Sequence, residues 1–153
     1  MADELSRKRY EQLVASHLDA AYNLARWLTR NPDDARDCVQ DACLRALRAF
    51  DGYRGGDGRA WLLTIVRNTC YSFLQRRQSA ATHLQYEDEW TSSDSLLADD
   101  GDNPERWLLR EADVRQIEAA LMALNPEYRE VLVLHEMEET SYKQIADVVG
   151  VPI

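Results

Sequence analysis

The stretch RAWLLTIVRNTCYSFLQRR, residues 59–77, decides the first part of the fold. Its apolar positions recur at three- and four-residue steps, which is the pattern of an amphipathic helix with one buried face. These positions are Trp61, Leu62, Ile65, Val66, Thr69, Cys70, Phe73 and Leu74. Arg76 and Arg77 follow, where cations stabilise the carboxyl end of a helix. We therefore predict a helix over this stretch.

Two earlier segments, residues 10–28 and residues 35–50, carry apolar stripes of the same helical period. Asn31-Pro32 separates them, and Asp33 or Asp34 is suited to cap the second helix. The stripe of the second helix comprises Ala35, Cys38, Val39, Ala42, Leu44, Ala46, Leu47 and Phe50. We therefore predict two more amphipathic helices ahead of the stretch quoted above.

A glycine-rich connection, GYRGGDGR at residues 52–59, joins the second helix to the third. Three helices of this length with short connections form an antiparallel bundle around one core. We place this first domain at residues 7–78. The three cysteines, Cys38, Cys43 and Cys70, lie in the apolar stripes without a CxxC pair, which favours plain core thiols.

An acidic segment follows the bundle. Residues 79–105 hold eight Asp and Glu and no Lys or Arg, and we predict an extended linker at residues 79–103. Asn103-Pro104 is suited to start the next helix. The apolar stripe of that helix comprises Trp107, Leu108, Val114, Ile117, Ala120, Leu121 and Leu124. Asn125-Pro126 ends it and starts another helix, which extends to about Met137.

The final segment, TSYKQIADVVGVPI at residues 140–153, has the pattern of the first half of a helix-turn-helix. Ser141 is a suitable cap, and the helix that follows carries Tyr142, Ile145, Ala146 and Val149 on its stripe. Gly150 stands where the turn needs a left-handed residue. We therefore expect an all-α protein of two small helical domains, the second at residues 104–153 and ending before its recognition helix.

The net charge of −9 is unevenly distributed along the chain. Residues 1–78 hold 13 Lys and Arg against 10 Asp and Glu, whereas residues 106–153 hold 5 against 9. The first domain is therefore the part whose charge suits nucleic acid. No apolar run approaches the ~20 residues that span a bilayer. The polar start MADELSRKRY has no signal-peptide core, so we expect a cytoplasmic protein without membrane insertion.

The sequence contains no pattern typical of an enzyme. His17, His83 and His135 are scattered, and the run HEMEE has Glu139 where a zinc protease has its second histidine. The glycine-rich connection follows a helix, whereas loops that bind nucleotide phosphates follow a strand. We therefore expect no catalytic residues, no metal and no cofactor.

Three blocks of the chain together resemble the extracytoplasmic-function (ECF) sigma factors of bacterial RNA polymerase. The family's polymerase-docking helix resembles residues 34–54, DARDCVQDACLRALRAFDGYR. Its promoter-melting helix, which reads the −10 element, resembles residues 59–77. The start of its −35-reading domain resembles residues 124–152, LNPEYREVLVLHEMEETSYKQIADVVGVP. The resemblance implies an alternative sigma factor that binds core RNA polymerase and directs promoter recognition and transcription initiation.

The resemblance implies that the second helix contacts the clamp helices of the polymerase largest subunit. The residues concerned are Asp37, Gln40, Asp41, Leu44 and Arg45. Asp37, Asp41 and Leu44 lie at four- and three-residue steps, so they share one helical face. From spacing alone, a solvated charged face is the simpler interpretation, and only the surrounding blocks favour docking.

The resemblance also implies that the third helix contacts promoter DNA through Arg67, Asn68, Arg76 and Arg77. Arginines bind phosphate oxygens, and an asparagine amide can read a base edge. The loop residues Tyr53 and Arg54 are a candidate wall of a pocket for a base flipped from the non-template strand. The alternative for Arg76 and Arg77 is a cation pair that only stabilises the end of the helix.

Two positions depart from the family. The family usually has an aspartate where this chain has Ser72, and often a basic or aromatic residue near Thr64. The −10 base preference therefore stays open. Trp61 lies on the apolar stripe, so we expect it in the core rather than stacked on a base.

The acidic linker resembles the family's segment that threads through the active-site cleft and RNA exit path of the polymerase. Negative charge suits a channel built to hold RNA, although a solubilising tether has the same composition. The family is commonly held inactive by an anti-sigma factor, which the resemblance implies as a partner. The alternative function is an all-helical adaptor or a transcription regulator that acts without polymerase, and it predicts no affinity for core enzyme.

Overall fold

The computed structural model describes the backbone of residues 2–80 and 104–150 and the side chains of residues 3–79 and 110–150. Every regular element within these ranges is helical, which confirms the all-α prediction. The elements are α1 (Ala2–Thr29), α2 (Pro32–Ala49), a 3-10 turn (Phe50–Gly52), α3 (Gly58–Ala80), α4 (Pro104–Ala123), α5 (Pro126–Leu132), a π-helical turn (Val133–Met137) and α6 (Tyr142–Val149). The predicted Asn103 cap and most of the predicted linker lie outside the described residues.

The junction between α1 and α2 is built by residues 30–34. Arg30 adopts a left-handed φ of 64°, which turns the chain out of α1. The side-chain oxygen of Asn31 then accepts the backbone N–H groups of Asp33 and Asp34, at 2.8 and 3.1 Å. The prediction that Asp33 or Asp34 caps α2 is therefore wrong. Pro32 is well suited to the first helical position because it has no N–H to satisfy, so the cap is Asn31, the residue directly before it.

Helices α1, α2 and α3 pack against one another as the predicted three-helix bundle. Small residues dominate the face of α2 that enters the core, which lets this helix approach its neighbours closely. The buried residues of α2 are Ala35, Cys38, Val39, Ala42 and Ala46. Cys38 and Cys70 lie buried in this core, and Cys43 is half-buried, as free thiols. The hydrogen bond with Cys38, together with burial, raises the pKa of the Cys70 thiol.

On α1, α2 and α4, four bulky residues that we assigned to apolar stripes are exposed instead, in addition to the small Ala120. They are Leu18 (43%), Leu44 (54%), Leu47 (49%) and Ile117 (51%). On α2 the alanine face takes the close contact, so the two leucines fall at its edge. On α4 the buried positions are Glu118 and Met122. Each follows directly after a residue of the predicted stripe, Ile117 or Leu121.

The end of the described chain follows the prediction closely. Ser141 and Gln144 form a reciprocal capping box at the start of α6, and Gly150 ends this helix with a φ of 80°. The N–H of Gly150 donates to the carbonyl of Ala146 at 2.8 Å. Tyr142, which we placed on the apolar stripe, is 67% exposed and stacks on His135 with ring centroids 4.6 Å apart.

Arg129 ties α4 and α5 to the end of α1. Its side chain is buried and donates to four backbone carbonyls, those of Trp27 (2.9 Å), Leu121 (3.0 Å), Met122 (3.3 Å) and Leu124 (2.8 Å). These carbonyls lie at the carboxyl ends of α1 and α4, where unsatisfied oxygens attract a cation. Trp27 is also buried against Met122 and Val133. Arg129 and Trp27 therefore help to join the two halves of the chain.

Candidate functional site

The five residues predicted to contact polymerase lie on one side of α2, which we call the outer face of α2. They are Asp37, Gln40, Asp41, Leu44 and Arg45. Asp37, Gln40 and Leu44 are exposed, whereas Asp41 and Arg45 are half-exposed. Arg45 and Asp41 form an ion pair across one turn at 3.2 Å. Leu47 is exposed one turn beyond Leu44, so a charged surface here borders two uncovered leucines.

An aromatic cluster supports the loop between α2 and α3. The ring of Tyr53 lies 5.6 Å from Phe50 and 4.9 Å from Trp61, and Phe50 lies 5.6 Å from Tyr10. Trp61 is half-buried against the bundle core, as expected for a core role. Arg54 is exposed beside this cluster. The loop is therefore held by stacked rings, while its polar residues face outward.

A groove of about 480 Å³ lies between this loop and the first half of α1. Phe50, Asp51, Tyr53 and Gly55 line it from the loop, and Ser6, Arg9, Gln12, Leu13, Ser16 and His17 line it from α1. Burial, with the charge of Arg59 nearby, lowers the pKa of His17, so its imidazole is mostly neutral at pH 7. The groove thus offers an aromatic wall and several hydrogen-bonding groups.

Sequence reasoning missed the contribution of α1 to this groove. Arg9, Gln12 and Ser16 recur at three- and four-residue steps, so they share a face of α1 that is polar. That spacing was a usable signal. The sequence does not show which loop packs beside this face, because residues 50–55 are distant from α1 along the chain.

The four predicted DNA-binding residues of α3 do not form one patch. Arg67 binds Glu130 of α5 through two hydrogen bonds, Nε to Oε2 at 2.8 Å and Nη2 to Oε1 at 3.2 Å. Arg77 binds Asp34 of α2 at 2.7 Å. The other two residues, Asn68 and Arg76, are exposed.

Arg76 lines a shallow groove of about 500 Å³ together with Arg45, Ser72, Gln75 and Ser79. This groove connects the outer face of α2 with the last turns of α3. Two guanidinium groups beside serine and glutamine side chains suit an anionic backbone such as that of DNA. Ser72, which departs from the family's usual aspartate, adds no negative charge here.

The side chain of Glu130 is fully buried against Arg67, whose own side chain is 19% exposed. The Arg67 guanidinium also lies 4.5 Å from the centre of the Tyr71 ring. Burial raises the pKa of Glu130, and the hydrogen bonds from Arg67 offset part of that effect. Sequence reasoning missed this pair, since nothing in the sequence links residues 63 positions apart.

The described residues hold no cluster of His, Cys, Asp and Glu side chains that could bind a metal ion. No helix in the described ranges is long and apolar enough to cross a membrane.

Comparison with known proteins identifies both halves of the chain. Residues 13–80 match the family Sigma-70 region 2, and residues 114–153 match Sigma-70, region 4. The chain is 31% identical over 151 residues to the ECF RNA polymerase sigma factor SigE of Mycolicibacterium smegmatis, covering 99% of this chain and 57% of that protein. It is 27% identical over 146 residues to the RNA polymerase sigma factor YlaC of Bacillus subtilis, covering 94% of this chain and 81% of that protein.

The fold is also similar to a solved structure. The sigma factor RpoE of Bartonella quintana, in a co-crystal structure with the anti-sigma factor NepR, matches with a TM-score of 0.76 and 24% sequence identity. The match covers 95% of this chain and 85% of that one. The relative from Mycolicibacterium smegmatis is an ECF sigma factor, and the two region matches, which follow the order of the two halves of the chain, show that this chain belongs to the sigma-70 family.

Proposed function

We propose that this chain is an alternative sigma factor, which binds core RNA polymerase and directs promoter recognition and transcription initiation. The observation that carries the proposal is the outer face of α2. Leu44 is 54% exposed among charged neighbours, and Leu47 is 49% exposed one turn away. Uncovered apolar side chains within a charged rim are typical of a surface that a protein partner buries.

Charge at this face would set the orientation of docking. Asp37 and Asp41 present carboxylates on one side of Leu44, and Arg45 is held in place by Asp41. Complementary charges on the clamp helices of the polymerase largest subunit would pair with them at the rim. The leucines would supply the apolar contact that charge pairs at a rim do not.

The groove beside the loop is our candidate for the −10 element. A base flipped from the non-template strand needs a pocket with a stacking surface and hydrogen-bonding groups. Tyr53 and Phe50 supply aromatic rings, and Gln12, Ser16 and the neutral His17 supply polar contacts. The arginines of α3 would bind the phosphates that lead to this pocket.

A second protein partner belongs to this proposal. The structurally similar sigma factor of Bartonella quintana binds an anti-sigma factor. We infer that a comparable partner inhibits this chain, and that it competes with polymerase for the outer face of α2. The acidic linker would enter the polymerase channel as part of the same function. With such a function we expect a cytoplasmic location.

The test is binding of the labelled chain to purified bacterial core RNA polymerase, followed by fluorescence anisotropy. We expect saturable binding that Asp41→Arg weakens by roughly tenfold or more. The reversed charge removes the proposed pairing with the clamp helices and also the ion pair with Arg45. Glu11→Arg is the matched control. Glu11 also forms an exposed ion pair across one helical turn, with Arg7 at 3.1 Å, but it lies on α1 and outside both grooves.

Equal effects of Asp41→Arg and Glu11→Arg would show that only general charge matters and would remove the outer face of α2 from the docking site. Absence of binding by a chain that is folded, as judged by circular dichroism, would contradict the sigma-factor proposal. The adaptor interpretation would then be the better one.

A further inference from the structure

Two of the three cysteines meet in the core of the three-helix bundle. Cys38 of α2 is 3% exposed, Cys70 of α3 is fully buried, and both belong to the same apolar cluster. Their side chains form a hydrogen bond with each other. Cys43, also on α2, is half-buried and therefore more accessible than either of them. The bundle thus holds one contacting pair of thiols and a third thiol for comparison.

Small side chains allow the two helices to lie close together at this contact. The buried positions of α2 around Cys38 include Ala35 and Ala42, and α2 packs directly against α3. A disulfide holds its two sulfurs about 2.05 Å apart. Because the thiols already contact each other in the folded chain, forming that bond requires only a short approach of the two sulfurs.

The hydrogen bond makes the two thiols chemically unequal. The S–H of Cys70 donates to the sulfur of Cys38, which lowers the pKa of the Cys38 thiol even though burial opposes this effect. Three nearby carboxylates, those of Asp34, Asp37 and Asp41, oppose it as well. The same hydrogen bond, together with burial, raises the pKa of the Cys70 thiol. Cys38 is therefore the better source of thiolate, the form of cysteine that reacts with oxidants.

We propose that Cys38 and Cys70 are a redox-active pair, which hydrogen peroxide converts into a disulfide that fastens α2 to α3. In the first step the Cys38 thiolate attacks one peroxide oxygen, the O–O bond breaks, and a sulfenic acid and a hydroxide ion form. Cys70 then attacks the Cys38 sulfur, and its proton leaves with the sulfenic hydroxyl group as water. The thiols lose two electrons in total, and one peroxide becomes two waters, since the hydroxide takes up the proton that Cys38 released.

The contact between the thiols distinguishes this pair from ordinary core cysteines. Buried thiols are usually inert, because apolar surroundings keep them protonated. At Cys38 the neighbouring thiol reverses that effect, and hydrogen peroxide is small and neutral enough to enter during brief local opening of the bundle. The inference goes beyond the proposed function and does not depend on it. The bond would restrain the helix with the polymerase-docking residues against the helix that carries Asn68 and Arg76.

The first test uses the native chain, which is treated with hydrogen peroxide while folded and then alkylated in urea before mass spectrometry. We expect the loss of two hydrogen atoms, a peptide cross-link between Cys38 and Cys70, and reversal by dithiothreitol. Cys43 should be alkylated instead, because burial raises the pKa of its thiol. Oxidation of Cys43 ahead of the pair would overturn the inference, as would a folded chain in which Cys38 and Cys70 both stay reduced.

Two variants separate the pair from the third cysteine. Cys43→Ala should form the same disulfide at an unchanged rate. Cys70→Ala removes the donor to Cys38, so oxidation of Cys38 should slow by roughly tenfold and yield no disulfide. Circular dichroism checks that both variants are folded. Equal rates of Cys38 oxidation in the two variants would contradict the role of Cys70.

Thermal unfolding measures the effect of the bond on the bundle. Oxidised Cys43→Ala should unfold at a temperature roughly 10 °C higher than the same variant after reduction, because the cross-link restricts the unfolded chain. An unchanged or lower unfolding temperature would show that the bond does not fasten α2 to α3. Polymerase binding is measured on the reduced chain, so failure of that test would remove the proposed function and leave the redox inference standing.

Discussion

Helices α2 and α3 pack against each other, yet they present their proposed functional residues differently. On α2, Asp37 and Leu44 face solvent and are ready for a partner. On α3, the Arg67 side chain is 19% exposed and bound to a carboxylate that is fully buried. Two surfaces of one small bundle therefore differ in availability. The proposed polymerase contacts are thus open to solvent, whereas one of the proposed DNA contacts is already paired within the chain.

The largest expected effect comes from removing the tryptophan that joins the two halves. Trp27→Ala should lower the free energy of unfolding by about 3–5 kcal/mol, because it leaves a large cavity where the ring packs against Met122 and Val133. Leu44→Ala, on the open face of α2, should cost less than about 0.5 kcal/mol. Urea denaturation monitored by circular dichroism measures both. Similar losses would mean that Leu44 is covered and that the contrast between the two helices is wrong.

Arg129 provides the next test. Arg129→Met keeps the length of the side chain but leaves four backbone carbonyls without their donor, which should cost about 2–3 kcal/mol of unfolding free energy. Arg129→Lys should recover part of this loss, since an ammonium can bind some of the carbonyls. If Arg129→Met were as stable as the native chain, the arginine would not hold α4 and α5 against α1.

Gly58 tests the end of α3 that borders the loop. A methyl group at this position would collide with the side chain of Leu13 and meet the hydroxyl of Tyr53 at 2.9 Å. Gly58→Ala should therefore displace the wall of the groove, at a cost of up to about 1 kcal/mol because both contacts are with the ends of flexible side chains. Gly52→Ala is the control, because nothing lies within 4 Å of a methyl group there. Equal stability of the two variants would show that the loop adapts freely.

The smallest expected effect is the pH dependence at Asp57. The backbone N–H of Ala60 and the amide of Gln144 hold the pKa of this carboxyl below its ordinary value of 3.8. Their stabilisation is therefore complete above pH 3.8 and is lost as the pH falls through the lowered pKa. Asp57→Asn should reduce the acid-induced fall in unfolding midpoint, whereas Asp147→Asn, at an exposed position of α6, should not. An unchanged acid profile in Asp57→Asn would contradict this role.

Much of the fold follows from the sequence because its signals are local. The helical periods predicted α1 to α3, and Ser141 and Gly150 marked the two ends of α6 correctly. Errors arose where two neighbouring residues were equally suited to one role. Asn31 and Asp33 both have capping side chains, and Pro32 at the first helical position assigns the cap to Asn31.

In the candidate site, too, the features that depend on local sequence were predicted, and those that depend on distant segments were not. The spacing of Asp37, Asp41 and Leu44 placed them on one face of α2, and that face is exposed. The groove beside the loop could not be foreseen in full, since half of its lining comes from α1. The partner of Arg67 could not be predicted either. The residue type indicates that an arginine binds an anion, but it does not indicate which one.

The sequence by itself determined which segments are helical, which residues share a face, and which family the chain resembles. These properties depend on backbone geometry and on neighbours within a few positions. Only the tertiary structure decided that Leu44 stays uncovered while Arg67 is held by Glu130. Whether a side chain is exposed depends on which distant segment packs over its helix, and that depends on the packing of the whole chain.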